Sequence, residues 1–242
     1  MRDQIFDNEQ PGLYETFEFN DRVVQVFDDM LSRSVPCYQM LQELLASLSV
    51  ACCSGNPIYD LGCSTGNTLE LIAREAKEHL TLVGIDSSAA MLDHCRRKIE
   101  GIRQHTIYLE CLDLGKIQQL PYGPAGVIVL SLVAQFIRPP ERPGLLRMAR
   151  HNLAPGGYLL MVEKTVQKSS AINSLFIDRY HEFKSTMGYS RLEIAKKREA
   201  LENRLIPYRC DENLDLLQSV GFDEVALFFT WLNFQGYIAR KS

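Results

Sequence analysis

The chain has 242 residues, 46% of them hydrophobic and 23% charged, with a formal net charge of -4. That is enough apolar material for one full core and suits a single α/β domain. The acidic balance points away from direct nucleic-acid binding. No stretch reaches the roughly 20 apolar residues that span a bilayer. The start, Met1-Arg2-Asp3-Gln4, lacks the basic n-region and apolar run of a secretory signal. Seven cysteines without C-x-x-C spacing and five scattered histidines predict free thiols in a reducing cytoplasm and no metal site.

Residues 20–50 read as helices. Asn20 suits an N-cap, and Val23, Val24, Phe27 and Leu31 follow at helical spacing until Pro36. A second helix carries Met40, Leu41, Leu44, Leu45 and Leu48. From Pro57 the pattern changes to short apolar runs: Ile58-Tyr59, Leu80 to Ile85, Thr106 to Leu109, Val127 to Leu130 and Tyr158 to Val162. Helical stretches near 67–78, 88–99 and 140–153 lie between them. Pro155-Gly156-Gly157 reads as a turn entering the fifth run. Alternation of this kind predicts a parallel sheet covered on both faces. Residues 165–206 read as two or three polar helices. A helix over 211–219 then leads to Val225–Phe229 and Phe234–Ala239, an antiparallel pair.

The expected fold is therefore α/β and Rossmann-like. It has a seven-stranded sheet ending in a C-terminal antiparallel β-hairpin, as in the class I methyltransferases, with extra N-terminal helices and a helical insertion after the fifth strand. One domain spans 1–242. It divides into an N-terminal helical cap (1–56), a cofactor-binding core (57–164), the helical insertion (165–206), and the C-terminal helix and hairpin (207–242).

Asp60-Leu61-Gly62-Cys63-Ser64-Thr65-Gly66 follows the first strand and precedes a helix. Gly62 and Gly66 permit a tight turn and a close ligand approach. The motif departs from the G-x-G-x-x-G dinucleotide fingerprint. Asp60 suits a ligand bearing an amino group and a sulfonium better than a pyrophosphate. Asp86 ends the second strand 24 positions after Gly62, placed to accept both hydroxyls of a ribose. Asp113 follows the third run, where an adenine amino group would lie, or else caps a helix. Three carboxylates at successive strand ends face one crevice, and together with the Leu153-Ala154-Pro155-Gly156-Gly157 turn they point to S-adenosyl-L-methionine.

The sequence also resembles a narrower family, the carboxy-S-adenosyl-L-methionine synthases, from about residue 17 to 240. The likeness is carried by Phe19 with Asp21-Arg22-Val23, Val26-Phe27-Asp28-Asp29-Met30, Arg33-Ser34-Val35-Pro36 with Tyr38, Tyr59 to Ser64, Gly84-Ile85-Asp86, Cys95-Arg96-Arg97, Gln135-Phe136, Tyr180-His181-Glu182-Phe183-Lys184, Gly188-Tyr189-Ser190, and Lys197-Arg198 with Leu201-Glu202-Asn203. The resemblance implies an enzyme that uses S-adenosyl-L-methionine as substrate and moves a carboxyl group from prephenate to its methyl carbon. The products are carboxy-S-adenosyl-L-methionine and phenylpyruvate. It implies a homodimer whose product passes to a tRNA-modifying carboxymethyltransferase for the 5-oxyacetyl modification of the wobble uridine. By resemblance Tyr38, Gly62, Cys63, Ser64, Asp86, Ser87, Asp113 and Leu114 contact the cofactor, and Arg198 holds the added carboxylate. Ser131 and Ser87 stand in the cofactor pocket where the family typically has Asn. Two other readings are an ordinary methyltransferase on a small molecule or tRNA, and a silent cofactor-binding partner.

A helix over 194–205 puts Arg198 on one apolar face with Ile194, Leu201 and Leu205. A guanidinium there either clamps an anion, snorkels to water, or pairs with Glu202 at i+4. The planar fork suits a carboxylate. Arg191, Lys196 and Lys197 read as solvated helix charges. Tyr38 either meets the cofactor or packs on the domain. Cys63 is expected to offer its backbone and not a thiolate. Gln135-Phe136 either lines the reaction site or closes the fourth strand, and Trp231 packs in the core or at a dimer face.

Overall fold

The computed structural model describes Asp3 and residues 21–242, and for Asp21 and Arg22 the backbone alone. The proposed Asn20 cap and the Phe19 marker lie outside the described residues.

Two helices, α1 (Asp21–Ser34) and α2 (Tyr38–Ala51), precede the sheet. Between them Cys37 takes a left-handed φ of 55°, so the break that Pro36 signals is completed one residue later. The core then alternates: β1 (Ile58–Leu61), α3 (Asn67–Glu75), β2 (Thr81–Asp86), α4 (Ala89–Ile99), β3 (Thr106–Cys111), β4 (Ala125–Ser131), α5 (Arg142–Asn152) and β5 (Leu153–Val166). Helices α6 (Ser170–Thr186) and α7 (Arg191–Ala200) form the insertion. The chain closes with β6 (Tyr208–Arg209), α8 (Cys210–Ser219), β7 (Glu224–Trp231) and β8 (Phe234–Arg240).

The main sheet path is β3-β2-β1-β4-β5-β8-β7, with the two-residue β6 beside the end of β5. Strands β1 to β5 are parallel; β8 is antiparallel to both β5 and β7. The expected seven strands and hairpin are thus present, with β6 as a short addition. Alternation within the apolar runs explains why they read as continuous. Ile58, Leu82, Val127, Val129 and Leu160 enter the core on the face that also takes residues of α2 and α3. Tyr59, Val83, Ile128 and Leu159 enter the opposite core with residues of α5 and α8. Every one of these side chains is fully buried, so neither face of the strands tolerates a polar alternate.

Three expectations change. Helix α3 stops at Glu75 because Ala76 is extended. The Pro155–Gly157 turn is a bulge inside β5: Ala125 faces Leu153 and Val127 faces Tyr158, so three extra residues bow out, with Gly156 at φ 76°. The expected 194–205 helix ends at Ala200. Residues 201–204 are turns, in which Asn203 holds a left-handed φ of 64°, a conformation asparagine tolerates.

The chain leaves β3, at one sheet edge, and returns as β4 on the far side of β1. The strand order reverses there, and a crevice opens beyond the carboxyl ends of the strands.

Candidate active site

A cavity of about 550 Å³ fills this crevice. Its walls take Asp60 from β1, Asp86 from β2, Asp113 after β3, Ser131 from β4, Lys164 from β5, and residues of α1, α2, α6 and α7. All the sequence-predicted contacts line it: Tyr38, Asp60, Gly62, Cys63, Ser64, Asp86, Ser87, Asp113, Leu114, Ser131 and Arg198.

The glycine loop is pinned to the end of β2. The N–H groups of Gly62 and Cys63 both donate to the Ile85 carbonyl, at 2.7 and 3.0 Å. Gly62 has φ 81°, and a Cβ there would stand 2.6 Å from Val133 Cγ2. Both conformation and close approach therefore require glycine. Ser64 is also left-handed, φ 49°, and its N–H donates to Asp86 Oδ2 at 2.9 Å. The other carboxylate oxygen accepts the Ser88 N–H at 2.9 Å. Each oxygen keeps a lone pair for a ligand hydroxyl. Burial raises the Asp86 pKa above the usual carboxylate range.

Asp60 is 2% exposed, and its Oδ2 has no hydrogen-bond partner among the described residues. Burial first, and the Asp86 charge second, push its pKa up to about 7, against a lowering by the Thr68 hydroxyl. A buried carboxylate oxygen without a donor is costly. A cationic amino group supplies the missing donor, so the residues present fit the amino-acid end of S-adenosylmethionine.

Asp113 is exposed and caps a turn, not a helix. Its Oδ1 accepts the Gly115 N–H at 2.9 Å and its Oδ2 pairs with Lys116 at 3.1 Å. The Gly115 bond, then Lys116, hold its pKa low. The Tyr38 hydroxyl accepts from Asn67 Nδ2 at 3.0 Å while its ring packs partly on the core. Asn67 also donates to Asp28 Oδ1 at 3.0 Å. Asp28 takes the Thr65 hydroxyl at 2.5 Å and the Lys98 ammonium at 2.7 Å. This network ties α1 to the glycine loop, α3 and α4. The Cys63 thiol is buried, and a hydrogen bond with Cys95, then burial, raise its pKa; it is no thiolate at neutral pH. Gln135 lies between the cavity and the ends of the strands. It lines the cavity and also closes the strand ends, accepting the Lys164 N–H at 3.0 Å. Trp231 is half-buried and packs its ring 5.7 Å from that of Phe183 on α6.

The helical insertion corrects two readings. Arg198 is exposed and lies on the flank of α7, whose buried face carries Glu193, Ile194, Lys197 and Ala200. It reaches the cavity wall and has no ion pair or hydrogen bond among the described residues; the Glu202 pair does not form. Lys197 is not solvated. At 4% exposure its ammonium donates to Ser34 Oγ at 2.7 Å and Tyr189 OH at 3.4 Å and lies 3.8 Å from Asp3 Oδ2. Arg191 is exposed, as expected.

Sequence reasoning did not assign Lys164, Tyr180 and Lys184 to the site, though all three line the cavity. The signal was present: a lysine closing the apolar run of β5, and Tyr180 and Lys184 one helical turn apart on α6.

Comparison with known proteins agrees with this geometry. Residues 58–157 match a family described as a methyltransferase domain. Among solved structures, the N-methyltransferase NodS of Bradyrhizobium japonicum superposes with a TM-score of 0.62 at 13% identity, over 91% of this chain and 95% of that one. The apo methyltransferase SibL gives 0.63 at 16% identity, over 89% and 57%. The fold is that of the class I S-adenosylmethionine-dependent methyltransferases.

Closer relatives refine this. Proteins named carboxy-S-adenosyl-L-methionine synthase from Desulfotalea psychrophila, Methylococcus capsulatus and Wolinella succinogenes are 45%, 44% and 42% identical. Each alignment covers at least 99% of this chain and 97% of the relative. The chain belongs to the carboxy-S-adenosyl-L-methionine synthase family and is a transferase.

Proposed function

We propose that the protein carboxylates S-adenosyl-L-methionine with prephenate, yielding carboxy-S-adenosyl-L-methionine and phenylpyruvate. In this reading it works in the cytoplasm as a homodimer, without a metal, and hands its product to a carboxymethyltransferase that builds the 5-oxyacetyl group on the tRNA wobble uridine.

The observation that carries the reading is Arg198. The cavity that holds the Asp60, Asp86 and Asp113 carboxylates also meets a guanidinium with no partner among the described residues. A plain methyl donor gives that group no task, whereas a carboxylate on the methyl carbon takes its planar fork bidentately.

The chemistry balances without an added reagent. The ring carboxylate of prephenate leaves its carbon and the ring hydroxyl departs, which makes the ring aromatic. One proton leaves the acidic sulfonium methyl to form water with that hydroxyl, and the methyl carbon takes the carboxyl carbon. The protein's own work is to hold the two reactants and exclude water. Asp60 binds the amino group, Asp86 the ribose hydroxyls, Asp113 and Leu114 the adenine end, and Tyr38, Ser64, Ser87 and Ser131 fill the wall between. Arg198 steadies the transferred carboxylate.

The test is mass spectrometry of small molecules released from the denatured protein before and after incubation with S-adenosylmethionine and prephenate. The reading expects a species heavier than S-adenosylmethionine by one carbon dioxide that grows with incubation. Unmodified or demethylated cofactor alone, unchanged by prephenate, overturns it.

A further inference from the structure

Two ammonium groups on the cavity wall, one buried and one half-buried, have no anionic partner among the described residues. Lys184, on α6, is 6% exposed; Lys164, near the end of β5, is half-buried. Neither side chain has a hydrogen-bond acceptor or ion pair among the described residues. What they share is an aromatic ring. Lys164 Nζ lies 4.7 Å and Lys184 Nζ 4.6 Å from the centroid of Tyr180. The Tyr180 hydroxyl donates to the Ser34 carbonyl at 2.8 Å, so its polar end is already engaged.

Two other lysines withdrawn from solvent, Lys197 and the half-buried Lys98, show what a structural role requires. Lys197 is held by Ser34, Tyr189 and Asp3, and Lys98 by Asp28. Lys164 instead has Arg198 as a charged neighbour, and Lys184 has Lys197 and Lys164, all of one sign. Burial and these neighbours push the Lys164 pKa down to about 8 and lower that of Lys184. A shared ring face offsets part of that cost, but a row of like charges around one cavity is compensated only by an anion.

We propose that Lys164 and Lys184 form the subsite for the carboxylate that the carboxyl donor retains, leaving Arg198 for the carboxylate that is transferred. This rests on the reading of the donor as a dicarboxylate, given above. Two separated cationic positions on one cavity wall match a dianion that gives up one charge and keeps the other. The retained arylpyruvate carboxylate sits at the lysine pair, and the transferred one lies toward Arg198 and the sulfonium. The subsite sets donor specificity: a monocarboxylate lacking the retained group leaves both ammoniums unpaired.

The probe is phenylpyruvate, which keeps the retained carboxylate and lacks the transferred one. Its binding is measured by calorimetry on the intact protein saturated with S-adenosylhomocysteine, for the wild type and for Lys164→Met, Lys184→Met and Arg198→Ala. Each lysine variant is expected to bind phenylpyruvate about tenfold to a hundredfold more weakly, the loss of one charge-assisted contact, while Arg198→Ala binds it as the wild type does. Methionine nearly matches the lysine stem, so the lysine variants are expected to melt no lower than the wild type; a structural lysine would lower the melting temperature. Wild-type affinity in both lysine variants overturns the subsite and leaves the donor reading standing. Failure of the wild type to bind phenylpyruvate overturns the donor reading and the subsite with it. Lowered melting temperatures with unchanged affinity assign the lysines to the fold.

Discussion

The backbone N–H of Ser64 donates to Asp86 Oδ2 at 2.9 Å, which makes the carboxylate at the end of β2 a peg for the glycine loop. The same carboxylate lines the cavity, so loop geometry and the proposed ribose contact depend on one side chain. Asp86→Asn leaves one acceptor oxygen where two are used, and an amide NH2 then faces the Ser64 or Ser88 N–H. The expected result is a loss of about 1–3 kcal/mol in stability together with S-adenosylmethionine affinity at least about tenfold weaker. Thermal melts and calorimetry read the two effects. A variant with lower affinity and unchanged stability would remove the peg.

Gly62 and Val133 make a second coupled pair. Gly62→Ala forces a Cβ into the Val133 side chain, 2.6 Å from Cγ2, at a φ that alanine adopts poorly. The change is expected to destabilise the fold by about 1–3 kcal/mol. Val133→Ala in the same chain restores the steric part and leaves the backbone part of roughly 1–2 kcal/mol. Denaturant melts of the two single variants, the double variant and the parent form a double-mutant cycle. Strict additivity in that cycle contradicts the contact.

The parts of this molecule that were legible in the sequence are those that local chemistry dictates. The apolar runs gave the strands because Ile58 and Tyr59 enter two different cores, so both faces of β1 had to be apolar. The glycine loop and its carboxylates were readable because turn conformation and strand ends sit at fixed sequence offsets. What was not readable depends on pairings far apart in the chain. Lys197 looks like a surface charge until Asp3 and Ser34 are seen beside it. Arg198 was assigned a buried stripe because the helix was extended through 205, whereas Asn203 supplies a left-handed turn that ends it early. Lys164 and Lys184 meet over the Tyr180 ring, a contact between β5 and α6 that no spacing rule announces.

Asp60 makes the ligand-free protein's stability depend on pH. Its folded pKa, about 7, lies above the ordinary 3.8, so the folded state holds a proton that the unfolded chain has lost. The favourable contribution is complete below about pH 4 and is lost as pH rises to about 7, on the order of 4 kcal/mol in all. Asp60→Asn abolishes that slope, so the variant melts higher than the wild type above pH 7. Ligand binding runs the other way. A cationic amino group needs the ionised carboxylate, so wild-type affinity for S-adenosylmethionine rises with pH through about 7, whereas the variant binds weakly and without that dependence. Parallel pH profiles of melting and affinity in the two proteins test this, and a wild type whose affinity is flat across the window contradicts it.

Arg198→Ala separates the two forms of the cofactor. Carboxy-S-adenosyl-L-methionine is expected to lose about 1.5–3 kcal/mol of binding, the range for a hydrogen bond to a charged group, while S-adenosylmethionine loses little. Arg198→Lys keeps the charge and loses the planar fork, so it falls between the two. Equal weakening of both ligands in calorimetry removes the clamp.

The lysine pair predicts opposite pH trends for stability and donor binding. Lys164 faces Lys184 and the Tyr180 ring from α6 and Arg198 from α7, and its folded pKa of about 8 lies below the ordinary 10.5. Between those values the unfolded chain holds the extra proton, so this group adds stability as pH rises from about 8 to about 10.5. In the proposed subsite the donor needs the ammonium charged, so the KM for prephenate is expected to rise over the same interval. Bound donor pulls the proton back on, so binding near pH 8 takes up protons from solution, and calorimetry in buffers of different ionisation enthalpy measures the uptake. In Lys164→Met the uptake shrinks and the local gain in stability disappears. Uptake equal to the wild type's in that variant would place the titrating group elsewhere.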